Sequence, residues 1–104
     1  MLHYILDDQG KPKKVSETEW ADWLETHRTT IAVTQIGKWH VKTEFKSCLF
    51  GDVVLVDPPI WETKVHSGPL HDDTLSCGGT QADALKMHEQ MVQRVKKLLE
   101  HQQN

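Results

Sequence analysis

Residues 80–101 read TQADALKMHEQMVQRVKKLLEH, and the reading of this stretch decides the fold. Leu85, Met91, Val92, Val95, Leu98 and Leu99, with Ala84 and His88 on the same side, recur at the i, i+3, i+4, i+7 spacing of one helical face. Gln81, Lys86, Gln90, Gln93, Lys97 and Glu100 fall away from that stripe. Thr80 is placed as the N-cap, and Asp83 supplies the acid of a capping box. Gly78-Gly79 breaks the chain just before it, while Lys96, Lys97 and His101 suit the negative end of the helix dipole. A helix over 80–101 is about 33 Å long. Burying its large aliphatic side chains at about 1.5–3 kcal/mol each makes it the largest single apolar surface of the chain.

Working outward, 104 residues make one domain with a modest core. Twelve basic against 15 acidic residues give a net charge of −3, with no basic stripe, so nucleic acid is a disfavoured partner. Lys11-Pro12-Lys13-Lys14 is the longest cationic cluster and reads as a solvated loop. No apolar run approaches the ~18–20 residues needed to cross a bilayer. Met1–Tyr4 lacks a signal-peptide layout, and Asp7-Asp8 follow at once. Cys48 and Cys77, far apart in a chain without an export signal, read as reduced thiols, and a cytoplasmic location is expected.

In order, the pattern predicts a short strand over 3–7, then a turn at Asp7-Asp8-Gln9-Gly10. Ser16-Glu17-Thr18-Glu19 is a capping box opening a helix over 16–27, with Trp20, Trp23, Leu24 and His27 on one face. From Thr30 the period becomes two. Strands over 30–36 and 39–46 flank Gly37-Lys38, a Gly-X loop of the type II′ hairpin. Trp39, Val41, Thr43 and Phe45 share one face; His40, Lys42, Glu44 and Lys46 share the other. The pairing leaves Ile31 and Val33 on the wet face, which calls for a bulge or a covered surface. Cys48–Asp52 reads as a turn. Val53–Val56 reads as a strand over 53–56 or as the ordered arm of a long loop, stopped by Asp57-Pro58-Pro59. A strand over 60–66 and a short one through Thr74-Leu75-Ser76 complete the set. The expected class is α+β: an antiparallel sheet of about four or five strands with the short and the long helix packed on one face.

Tyr4-Ile5-Leu6-Asp7-Asp8, Thr34-Gln35-Ile36-Gly37, Pro58-Pro59, Trp61-Glu62-Thr63, Gly68-Pro69 and His88-Glu89-Gln90-Met91-Val92 together resemble a group of small phage, prophage and bacterial proteins. The similarity runs through nearly the whole chain. Trp61 and Ser67-Gly68 stand where similar proteins carry Phe and Gly-Gly, and their middle-loop Asp-His pair has no counterpart. The resemblance implies a phage-related context and no established activity.

Seven histidines invite a metal reading, with His66, His71, Asp72 and His88 as its ligands and Asp73 and Cys77 nearby. Their spacing lacks the tight pairs of a zinc site, and a scattered surface set is the ordinary outcome. His88 reads either as a packed, hydrogen-bonded histidine or as a titratable group facing a pocket with Glu62 or His66. No phosphate-cradling loop, nucleophile elbow or metalloprotease histidine pair is present, so no cofactor and no catalytic residue is expected. The four tryptophans read as core, but Trp39 and Trp61 exposed beside Leu49 and Phe50 would mark a binding patch. The leading expectation is a non-enzymatic protein-binding or adaptor module, its partner a host or phage protein. Its surface would be Trp39, Leu49, Phe50 and Trp61, with an open sheet edge and the Leu49–Pro59 loop. The Leu85, Val92, Leu99 spacing also permits a homodimer through the long helix. The competing expectation is a small enzyme or a small-molecule or metal binder with a pocket lined by His66, His71, Asp72 and His88.

Overall fold

The computed structural model describes residues 1–51, 55–67 and 73–102. It is α+β, and its strands divide into two antiparallel sheets. In chain order the elements are β1 (Leu2–Leu6), β2 (Pro12–Val15), α1 (Glu17–Thr26), β3 (Thr30–Ile36), β4 (Trp39–Phe45), β5 (Cys48–Leu49), β6 (Trp61–His66), β7 (Thr74–Cys77) and α2 (Gln81–Gln102). The smaller sheet has the order β2-β1-β5 and the larger β3-β4-β6-β7.

The smaller sheet starts from a turn. Asp7 Oδ1 accepts hydrogen bonds from the backbone N–H groups of Gln9 and Lys11, both at 2.9 Å, and Gly10 takes φ +72°. This hairpin returns the Lys-Pro segment alongside β1 as β2, where a loop was expected; Pro12 sits at the first position of an edge strand, where no ladder N–H is missed. β5 falls where a turn was expected and pairs Leu49 with Leu2. Its continuity with β4 through Lys46 and Ser47 stitches the two sheets together, with Tyr4 N–H donating to Ser47 C=O and Lys46 N–H to Ile60 C=O.

In the larger sheet Gly37 has φ +60° and Lys38 does not, the signature of the type II′ hairpin. Ile36 then pairs with Trp39 and Thr34 with Val41. The register shifts between Thr30 and Ala32, so Ile31 is the extra residue of a bulge. The bulge turns Ile31 onto the core and leaves Val33 in water, 59% exposed.

α2 crosses the inner face of the larger sheet, touching all four of its strands. Thr80 and Asp83 form the capping box: Thr80 N–H donates to Asp83 Oδ2 at 2.9 Å and Asp83 N–H to Thr80 Oγ1 at 3.4 Å. Its buried stripe is Ala84, Met87, His88, Met91, Val92 and Val95, with Leu98 and Leu99 half-buried. Leu85 lies on the flank of the stripe and is 44% exposed, and Met87 takes the place expected for it. Because Val92 is buried against the protein's own sheet, the Leu85–Val92–Leu99 row is not free to form the expected helix-mediated homodimer.

α1 begins as expected, with Glu19 N–H donating to Ser16 Oγ at 3.2 Å. It has no fully buried residue and docks through aromatic rings: Trp20 on His3 at 4.7 Å and Trp23 on Phe45 at 5.8 Å. Leu2 and Tyr4 of the smaller sheet meet Phe45, Ile60, Trp61, Ala84 and Met87 in one cluster. Trp39, Val41, Val65, Met91, Val92 and Val95 form a second cluster further along α2. No described helix is long and apolar enough to cross a membrane.

Candidate functional site

The expected binding quartet separates into core and surface. Trp61 and Trp39 are 0% and 4% exposed, so both are core residues and neither contributes to a patch. Each stands on the inward face of its strand, beneath α2 or the Phe45 cluster. Trp61 also spends its indole N–H on the Gly79 carbonyl at 2.9 Å. Leu49 is half-buried through its pairing with Leu2 and packs against the core. Phe50 alone of the four is a surface residue, at 90% exposure.

The described members of the metal-ligand set, His66 and His88, are not brought together. β6 turns Val65 inward and His66 to the wet face, whereas His88 lies on the side of α2 that packs against the inner face. His71 and Asp72 lie outside the described residues. Among the described residues, no group of three or more histidine, cysteine, aspartate or glutamate side chains is arranged to hold a metal.

His88 belongs to the core. Its Nδ1 is 2.7 Å from Thr43 Oγ1 and its Nε2 is 2.8 Å from Thr34 Oγ1, so both ring nitrogens are engaged by β-strand hydroxyls. Thr43 in turn meets Thr63 at 2.5 Å. Either neutral tautomer satisfies every member, because each hydroxyl can donate along the chain in one direction. Burial lowers the His88 pKa below the usual histidine value, against a smaller opposing pull from Glu89. Glu62, the pocket partner that the titratable reading of His88 requires, points to the other face and pairs with Lys46 at 3.4 Å. Nor do the thiols suggest a nucleophile. Both are free and half-buried, and burial, then Asp83 and Asp57, raise the pKa of Cys77 and keep it protonated.

The open face of the larger sheet carries His40, Lys42 and Glu44 directly opposite His66, Lys64 and Glu62. Like charges across the ladder are offset along it, where Lys42 meets Glu44 at 2.8 Å. Such mixed pairing dilutes any field that would track a phosphate backbone.

What stands out is the segment that follows β5. Leu55 is 54% and Val56 fully exposed, neither lies in a strand, and Val53 and Val54 fall outside the described residues. The alternative of a strand over 53–56 is therefore corrected at its described half. Asp57 explains why: its carboxylate accepts the Gly79 N–H at 2.8 Å, pinning the chain to the start of α2 rather than to a sheet. Between this strap and β2 lies a concavity of about 350 Å³, walled by Pro12, Lys14, Leu55, Val56 and Pro58 and floored by Tyr4. The Tyr4 hydroxyl is buried and has no hydrogen-bond partner among the described residues. Sequence reasoning missed Tyr4 and Pro12 because the site exists only once β2 folds back on β1. Comparison with protein-family models, with curated proteins and with solved structures finds no match.

Proposed function

We propose that the protein is a protein-binding module rather than an enzyme, and that it works through the Phe50–Pro58 segment and the concavity beside it. The observation that carries this reading is the exposure of Phe50, Leu55 and Val56 in one segment of a chain that buries Tyr4, Trp39, Phe45 and Trp61. Exposed apolar side chains rimmed by polar ones mark interaction sites. Lys11 and Lys14 border the concavity, so the segment recognised would insert an apolar side chain and present carboxylates beside it. The setting we propose is the cytoplasm, in the phage-related context of the proteins the sequence resembles, with a host or phage protein as the partner.

A photo-crosslinking side chain placed at Val56, with one at Gln93 on the exposed face of α2 as control, tests the reading in cells. One discrete crosslinked protein from position 56, competed by excess unlabelled protein and absent from position 93, supports it. Equal labelling from both positions overturns it.

A further inference from the structure

The larger sheet ends in β3, and the type II′ hairpin dictates where the main chain of β3 points. Ile36 and Trp39 close a two-residue loop and so form a hydrogen-bonded pair. Alternation then bonds Thr34 to Val41 and Ala32 to Thr43, while Gln35↔His40 and Val33↔Lys42 are the non-bonded pairs. The N–H and C=O groups of Val33 and Gln35 therefore face away from β4, into the open edge. Among the described residues no further strand lies beyond β3, and no turn or cap bonds these groups.

Natural sheet edges are blunted by charge, proline or brevity. β2 begins with Pro12 and carries exposed Lys13 and Lys14; β5 has two residues and β7 has four. β3 has seven, TIAVTQI, with no charge, no proline and no glycine. Its bulge at Ile31 disturbs only its first residues, leaving Ala32–Ile36 regular.

We infer that β3 is a self-association edge, and that its occupant is β3 of a second copy of this chain. An antiparallel strand pairs with itself about a two-fold axis, and the axis that fits lies at Thr34. That register sets Val33 opposite the partner's Gln35 and Gln35 opposite the partner's Val33, so the outward-facing groups of each copy satisfy those of the other. The paired stretch is Ala32–Ile36, stopping short of both the bulge and the Gly37-Lys38 turn. Neither strand brings a charge to the seam, so no repulsion opposes it. Half-buried Ala32 and Ile36 meet across the helix side, and Val33, 59% exposed, is covered on the other. Two four-stranded sheets become one continuous sheet. This surface is separate from the proposed partner site, which lies against the smaller sheet.

Sedimentation equilibrium of the full chain over a wide concentration range tests the inference, with a reversible dimer expected. Val33→Pro deletes an outward N–H without touching the ladder to β4, and is expected to weaken the dimer by at least about tenfold. The V33E/Q35E variant changes two exposed side chains and places carboxylates opposite each other across the seam; it keeps the test standing if the proline variant fails to fold. V33K/Q35K is also expected to be monomeric, and mixing the acidic and basic variants is expected to restore the dimer. A wild-type chain that stays monomeric throughout, or a dimer indifferent to these substitutions, overturns the inference.

Discussion

Nδ1 of His88 on α2 lies 2.7 Å from the hydroxyl of Thr43 on β4, so the one histidine on the packed stripe ties the long helix to the middle of the sheet. Thr43 and Thr63 are both fully buried, and the chain of bonds continues from Thr43 to Thr63. A buried polar network of this kind stabilises when complete and costs when broken.

Thr43→Val therefore removes the shared hydroxyl with little change of shape, and leaves one ring nitrogen of His88 and the Thr63 hydroxyl short of a partner. Urea unfolding is expected to show a loss of about 1–3 kcal/mol. Ser76→Ala, at an exposed position on β7, is expected to cost far less. Equal effects at the two sites would remove the network from the account of stability.

The same residue sets a pH dependence. Burial lowers the folded-state pKa of His88 beneath the ordinary value of about 6.5, so the unfolded chain takes up a proton first as pH falls. The contribution is complete above that ordinary value and is lost as pH drops from it toward the lowered one. Unfolding free energies followed across this window are expected to fall more steeply for wild type than for His88→Gln. In an NMR titration, the His88 ring is expected to protonate below the ordinary histidine value of about 6.5.

Phe50 and Phe45 offer a paired test of surface against core. Phe50→Ser and Val56→Ser leave the packed clusters untouched and are expected to move stability by less than about 0.5 kcal/mol, and Phe50→Ser is expected to abolish crosslinking from position 56. Phe45→Ala empties the junction between Trp23 and Trp61 and is expected to cost about 3–5 kcal/mol. A large stability loss at Phe50 or Val56 would mean that the strap is packed.

Gly79 has φ +81°, and a Cβ there would run into the Asp83 carboxylate of the capping box. Gly79→Ala is expected to destabilise by about 1 kcal/mol or more and to fray the first turn of α2, read as faster amide exchange at Ala84 and Leu85. A thermal midpoint equal to wild type would contradict this.

The fold class and both helices were legible, because their signals are local. The Thr80/Asp83 and Ser16/Glu19 boxes, the Gly37 turn and the Trp39–Phe45 alternation each act within a few residues. The candidate site was far less so. Phe50 is exposed as the binding patch requires, but Trp39 and Trp61 could join that patch only if exposed, and their own alternation places them inward. His66 and His88 were grouped by residue type, yet the pleat sends one to water and the helix sends the other into the core. Tyr4 had no local mark at all; its role depends on β2 returning beside β1 and on the strap being pinned to Gly79.

What the sequence determined by itself was the period of each segment: a 22-residue amphipathic helix, a type II′ hairpin, and an inward face on β4. Periodicity and turn chemistry need only neighbours in the chain. What only the tertiary structure decided was how those faces are shared: that the strands split into two sheets, that Ile31 is bulged inward while Val33 stays in water, and that β3 is left as an uncharged edge. Each of those outcomes depends on contacts between residues far apart in the chain, whose competition for one core no local pattern records.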